Sequence, residues 1–297
     1  MSRCAYVALV GRPNVGKSTL LNRLVGQKIS ITASKPQTTR HNIVGISTRG
    51  DLQLLYVDTP GLHRHTPRAL NRYLNRTASS VVGATDAVVQ VVEALRWTEE
   101  DEAVADLLAA VPLEQRLLAA NKVDTVADKR ELLPYLAKLG EQGRYAEIVP
   151  LSARTGSNLE ALEGALQQRA PERPFLYPVD QVSDVSQRFL AAELVREKLT
   201  RLLRQELPYS LTVEVERFEE RDGLVRIGAV IWVERLGQKG IVIGQDGRLL
   251  REAGKQARLD LERALDKRVF LETWVKVREG WADDERALRS LGYGGGG

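Results

Sequence analysis

Residues 5–25 read AYVALVGRPNVGKSTLLNRLV. The apolar run 5–10 has the make-up of a strand buried on both faces, and helical spacing resumes after it at Leu20, Leu21, Leu24 and Val25. Between them stands Gly11-Arg12-Pro13-Asn14-Val15-Gly16-Lys17-Ser18, which fits G-x-x-x-x-G-K-[ST]. In such a strand-to-helix junction the glycines let successive N–H groups point into one concavity, and the helix N-terminus adds positive partial charge. Lys17 is then placed to neutralise β- and γ-phosphate oxygens, and the Ser18 hydroxyl to join Mg²⁺; Val15 and Thr19 flank them in the same site. A nucleoside triphosphate is the expected ligand.

At 297 residues the chain is long enough for two domains of ordinary size. Its 43% hydrophobic and 28% charged composition is that of a globular protein. The single cysteine, Cys4, excludes an internal disulfide and suits a reducing cytoplasm. No charged-then-apolar leader precedes the first strand, and nothing approaches the ~20 apolar residues of a membrane span. The expected location is cytoplasmic, with peripheral contact to the inner face of the membrane left open. Net charge is only +4, and residues 176–297 hold 21 basic and 21 acidic side chains, so any nucleic-acid surface must be a local patch.

Beyond the first helix, 27–42 has neither strand nor helix period and reads as a functional loop. Strands 43–48 and 52–57 flank Arg49-Gly50-Asp51 as a hairpin, and the second runs into Asp58-Thr59-Pro60-Gly61. A carboxylate there can hold Mg²⁺, and Gly61 lets the backbone approach a γ-phosphate. Helices near 69–82, 99–111, 128–142 and 158–169 then alternate with strands 87–92, 116–120 and 147–151. That order predicts an α/β domain with a mainly parallel sheet covered on both faces. Two strand ends carry polar sets, Asn121-Lys122-Val123-Asp124 and Ser152-Ala153-Arg154. Asp124 can accept from guanine N1–H and its exocyclic amine, Asn121 braces the loop, Lys122 lays its stem over the base, and the Ala153 N–H can donate to O6. These point to GTP or GDP rather than ATP.

GRPNVGKS, QTTRH, DTPG, NKVD and SAR together resemble the translation-factor class of P-loop GTPases, and PQTTRHNIVGI is similar to the Era family. The resemblance implies that Thr39 reaches Mg²⁺ when GTP is bound, Thr38 being the alternative. It also implies that 27–42 and the stretch after Gly61 are switches. Leu62 follows Gly61 where many small GTPases carry a water-orienting glutamine, so isolated hydrolysis should be slow. Asn14 has two open roles: helping to hold K⁺, as at this place in related GTPases, or shaping the loop.

Residues 171–180, PERPFLYPVD, read as a linker between a domain at 1–170 and one at 181–297. The latter is expected to run helix 186–205, strands 211–218 and 224–234, a short helix, a helix to 265 and strand 269–277. That order reads as an α+β domain with an antiparallel sheet covered on one face. Within it Ile243-Gly244-Gln245-Asp246-Gly247 carries a G-x-x-G, and Arg248, Arg251, Lys255 and Arg258 follow on one helix face. This resembles a bacterial-type KH domain, which clamps about four nucleotides of single strand. Asp246 beside a phosphate backbone is a departure, and the glycines can act if it points away. By resemblance the partner is the 3′ end of small-subunit (16S) ribosomal RNA, within the small ribosomal subunit during its assembly, and the protein is a monomer. Two rivals stay open: a signalling or membrane-associated switch whose second domain binds protein or lipid, and an RNA-binding adaptor with little turnover.

Overall fold

The computed structural model describes residues 1–35, 37–61, 69–203 and 207–291. The first part of the chain forms β1 (Arg3–Val10), α1 (Lys17–Val25), β2 (Ile43–Arg49), β3 (Leu52–Asp58), α2 (Ala69–Val82), β4 (Ala87–Glu93), α3 (Glu99–Leu108), β5 (Arg116–Asn121), α4 (Leu132–Glu141), β6 (Glu147–Pro150) and α5 (Leu159–Arg169). Then follow α6 (Gln187–Leu202), β7 (Leu211–Arg221), β8 (Leu224–Val233), α7 (Leu236–Ile243), α8 (Arg248–Leu265), β9 (Arg268–Val277) and α9 (Glu285–Ser290). Two compact units result: one holds 1–30, 39–66 and 74–184, the other 31–38, 67–73 and 185–297.

Among the described residues, the first unit's strands lie in the order β2-β3-β1-β4-β5-β6, all parallel except β2, which returns antiparallel to β3. The unbroken apolar runs seen in the sequence are the strands of this core: Val7, Ala8, Leu9, Val88, Val89, Leu117 and Leu118 are completely buried. Parallel register sets Leu9 beside Asp58 and Glu93 beside Asn121, so the polar strand ends gather at one sheet edge. The proline-punctuated stretch expected as the linker is tied to this unit. Cys4 N–H donates to Pro171 O at 3.2 Å, and buried Gln53 accepts from Leu176 and Tyr177 N–H at 2.9 and 3.1 Å. Its amide also donates to Tyr177 O at 2.9 Å, so one glutamine supplies the hydrogen bonds a neighbouring strand would.

In the second unit β7 and β8 form an antiparallel hairpin about Asp222-Gly223, but β8 and β9 are parallel, from Leu224 beside Arg268 to Val233 beside Val277. The expectation of an antiparallel sheet is corrected here. The connection from β8 to β9 passes through α7 and α8, and a helical crossover returns the chain in the same direction. Alternate residues of β8 (Val225, Ile227, Ala229, Ile231 and Val233) face a core completed by Leu194, Val195 and Leu199 of α6 and Ala253, Ala257 and Leu261 of α8. The apolar spacing of both helices is accounted for by this packing. Ile31 is buried in the same cluster. Near the C-terminus Trp281 is fully buried, and Leu70 N–H donates to Ala282 O at 3.1 Å. The four terminal glycines lie outside the described residues. Among the described residues no helix is long and apolar enough to cross a membrane.

Leu261→Ala should cost the second unit about 2–5 kcal/mol by opening a cavity in a site with no exposure. Urea denaturation read by tryptophan fluorescence checks this, since Trp232, Trp274 and Trp281 report on that unit and Trp97 on the first.

Candidate functional site

Four loops meet at the carboxyl edge of the first sheet. The loop after β1 curls through Gly11 to Gly16, whose φ of 105° lies in the left-handed region. A Cβ on Gly16 would sit 2.4 Å from the Asn121 amide nitrogen, so close approach as well as backbone angle requires glycine. Lys17 is buried, donates to Gly11 O at 2.8 Å and Arg12 O at 3.0 Å, and has its pKa lowered by burial to about 8. Thr19 is half-buried in the first turn of α1. Asn14 is exposed with φ 64°, a conformation asparagine tolerates better than most residues.

Asp58 ends β3 with no exposure. Its Oδ2 accepts from Ser18 Oγ at 2.6 Å, Ser30 Oγ at 2.9 Å and Thr39 Oγ1 at 3.3 Å. Ser18 and Thr39 hydroxyls are 2.8 Å apart. Burial pushes the Asp58 carboxyl above its usual range, and the Ser18 bond, the Lys17 charge and the other hydroxyls oppose this. Asp58 Oδ1 is buried without a hydrogen-bond partner among the described residues. One buried carboxylate oxygen with two adjacent hydroxyls fits a hard cation such as Mg²⁺, which takes few protein oxygens and completes its shell from phosphate and water. Of the two candidate threonines, Thr39 stands at this cluster, while the Thr38 hydroxyl donates to Lys35 O at 2.6 Å. A methyl on Gly61 would come 2.8 Å from Pro13, so the two loops touch as main chain. Leu62 and the rest of the expected second switch to residue 68 lie outside the described residues.

On the base side, Asn121 is a clasp. Its amide donates to Val15 O at 2.7 Å and its Oδ1 accepts from Ala153 N–H at 2.9 Å. That N–H, expected to face guanine O6, is therefore engaged by Asn121. Asp124 accepts from Ser152 Oγ at 2.6 Å and pairs with Arg154 at 2.5 Å, and the Ser152 bond, ahead of Arg154, holds its carboxyl below the ordinary range. Lys122 Nζ is fixed by Glu93 at 2.9 Å.

Several contributors escaped the motif reading. Ser30 and Glu93 carry no sequence pattern of their own. Arg12 bonds Asp101 at 3.0 Å, and Asp101 also closes the capping box with Thr98 that starts α3. The T-x-x-D spacing of that box was legible in the sequence.

In the second unit the G-x-x-G joins α7 to α8. Gly244 has φ 73°, and a Cβ there would meet the Leu249 Cβ at 2.8 Å. Gln245 and Asp246 are exposed, as are Arg248, Arg251 and Lys255; Arg251 donates to the carbonyls of Asp246 and Gly247. Arg258 differs: it is half-buried and pairs with Glu262 at 2.7 Å. Ile243 is half-buried and packs on the core.

Residues 6–122 match the family of 50S ribosome-binding GTPases, and 206–282 match the KH domain family. The chain is 56% identical to GTPase Era of Ectopseudomonas mendocina over 99% of this chain and 98% of that one. It is 54% identical to GTPase Era of Pseudomonas aeruginosa over 99% and 96%. Its structure is similar to that of Era in complex with MgGDPNP and nucleotides 1506–1542 of 16S ribosomal RNA, with a TM-score of 0.94, 34% identity and 99% of both chains covered. A single-residue variant of Aquifex aeolicus Era bound to GDP·AlF4⁻ gives the same TM-score and identity over 98% and 99%.

Because Asn121 satisfies two buried main-chain groups, Asn121→Ala should lower the stability of the ligand-free protein by about 1–3 kcal/mol. Thermal or urea unfolding without nucleotide measures this directly, and a role confined to the base would leave it unchanged.

Proposed function

The chain belongs to the GTPase Era family, and we propose that it is a switch that binds and hydrolyses GTP and holds the 3′ end of 16S ribosomal RNA during assembly of the small ribosomal subunit. The observation that carries the nucleotide half is the convergence of Ser18, Thr39 and Asp58 beside Lys17, at the sheet edge that also presents Asp124. Lys17 leaves its loop carbonyls to meet the β- and γ-phosphate oxygens, and main-chain N–H groups of 11–16 cradle the rest. Ser18, Thr39 and Asp58 would hold a Mg²⁺, whose charge would offset that of the phosphates. Thr39, already at this cluster, would add its hydroxyl to the cation's shell when a γ-phosphate is present. Gly61 brings its backbone to that phosphate. Asp124 reads the two guanine donors, with Ser152 and Arg154 keeping its carboxylate ionised.

The RNA half rests on the glycine turn at Gly244, with Ile243 behind it and Gly247, Arg248, Arg251 and Lys255 around it. A backbone free of side chains at Gly244 and Gly247 can lie against phosphates, and exposed cations on the next helix follow the strand. The similar Era that holds nucleotides 1506–1542 of 16S RNA supports this choice of ligand. The proposed location is the cytoplasm.

Asp124→Asn should weaken GTP by about 1–3 kcal/mol while improving xanthosine triphosphate, whose edge presents an oxygen where guanine has an amine. Competition of the two triphosphates against a fluorescent guanine nucleotide checks it; unaltered preference would remove Asp124 from the base site. For RNA, Arg251→Glu with Lys255→Glu should reduce affinity for a single-stranded 16S 3′-end oligonucleotide by at least about tenfold at low salt. Filter binding at two salt concentrations measures it, and GTP affinity serves as the control that should not move.

A further inference from the structure

The segment 31–38 lies between the phosphate loop's helix and Thr39 in sequence, yet it packs within the second unit. Its main chain is held by charged side chains of α6. Thr32 N–H donates to Glu197 Oε1 at 2.9 Å. Arg201 donates to Thr32 O from Nε at 3.0 Å and Nη2 at 2.8 Å, and to Thr32 Oγ1 at 3.0 Å. Arg196 donates to Thr38 O and is itself gripped by Glu193 at 2.7 and 2.6 Å. Lys35 reaches Leu203 O at the end of the same helix.

These ions are costly to keep there. Arg196, Glu197 and Lys198 are 1%, 0% and 4% exposed, and buried charges are tolerated only when fully paired. Glu197 is braced by Lys198 and Arg201, both at 2.9 Å, and Lys198 by Asp260. A helix that only filled a core would carry apolar residues at these positions. The cluster instead ends on the Thr32 N–H and on the carbonyls of Thr32 and Thr38, so it fixes the backbone at those two residues. One peptide bond further on is Thr39, already within 2.8 Å of Ser18 Oγ.

We propose that this α6 cluster is a clamp, with Glu197, Arg196 and Arg201 acting as positioning residues for Thr39, and that it sets the preference for GTP over GDP. The proposal rests on the guanine-nucleotide reading above. Only a triphosphate uses Thr39, so only a triphosphate gains when the segment's ordering is supplied in advance from α6.

The test is the affinity of the full-length protein for GDP and for a non-hydrolysable GTP analogue, both with Mg²⁺, in Arg201→Ala and Glu197→Gln. The Arg201 side chain is 45% exposed, so its removal leaves the fold intact, and that variant carries the test alone if Glu197→Gln unfolds. The analogue should bind at least about fivefold more weakly while GDP affinity stays within about twofold, and Arg201→Lys should recover part of the loss. Equal weakening of both ligands would make the cluster merely structural, and unchanged analogue affinity would leave Thr39 independent of it; either overturns the proposal. Wild-type protein that bound neither nucleotide would instead overturn the reading on which the proposal stands.

Discussion

A fully buried carboxylate with one oxygen crowded by hydroxyls and the other without a hydrogen-bond partner among the described residues is the constraint on which the nucleotide site depends. Asp58 is an expensive residue to place at a strand end inside a protein, since desolvation opposes its ionised form. Its cost is offset only if α1 delivers Ser18, the loop behind α1 delivers Ser30, and the next loop delivers Thr39. Each of those segments is therefore located by one residue on β3. The parallel register carries this placement across the sheet, because fixing Leu9 beside Asp58 also fixes where the loop after β1 begins.

The base side follows a different logic. There the loops are joined neutrally, through an asparagine that bridges Val15 and Ala153. A neutral clasp suits a site whose ligand presents neutral edges, and it leaves Asp124 as the carboxylate proposed to read them. The two halves share a wall: Glu93 holds Lys122 and lies 3.5 Å from Arg12, whose other partner, Asp101, starts α3. Phosphate loop and base loop are thus braced through a single strand end, and a change in either is felt as strain in the other.

The fold and most of the site were legible because they rest on local signals. Buried parallel strands write themselves as apolar runs, and glycine-lysine-hydroxyl strings have a geometric meaning wherever they follow such a strand. The direction of β9 is marked not by the strand itself but by the helical crossover before it, a signal that the antiparallel reading passed over. The allegiance of 31–38 was not legible, because the charges that hold it lie more than 150 residues away and grip main chain, which leaves no side-chain pattern to read. Gln53 is the same case, a polar residue inside a strand whose partners, Leu176 and Tyr177, are found only once the chain has folded.

Charge balance in the second half now has a physical account. An equal number of acids and bases argues against a nucleic-acid surface only if the two are evenly spread. Here six of the acids are engaged with bases away from the G-x-x-G: Glu272 with Arg217, Glu216 with Lys276, Glu220 with Lys267, Glu262 with Arg258, and Glu193 and Glu197 on α6. Around the turn the arrangement changes. Arg251 bonds only to neutral carbonyls of Asp246 and Gly247 in the contacts described, and Asp246, 70% exposed, stands 4.0 Å from Arg248. A pair that open to solvent contributes little, so an incoming phosphate can displace it at small cost. Exposed Arg248, Arg251 and Lys255 of a charge-balanced half thus stand beside a turn whose glycines leave its backbone open to approach.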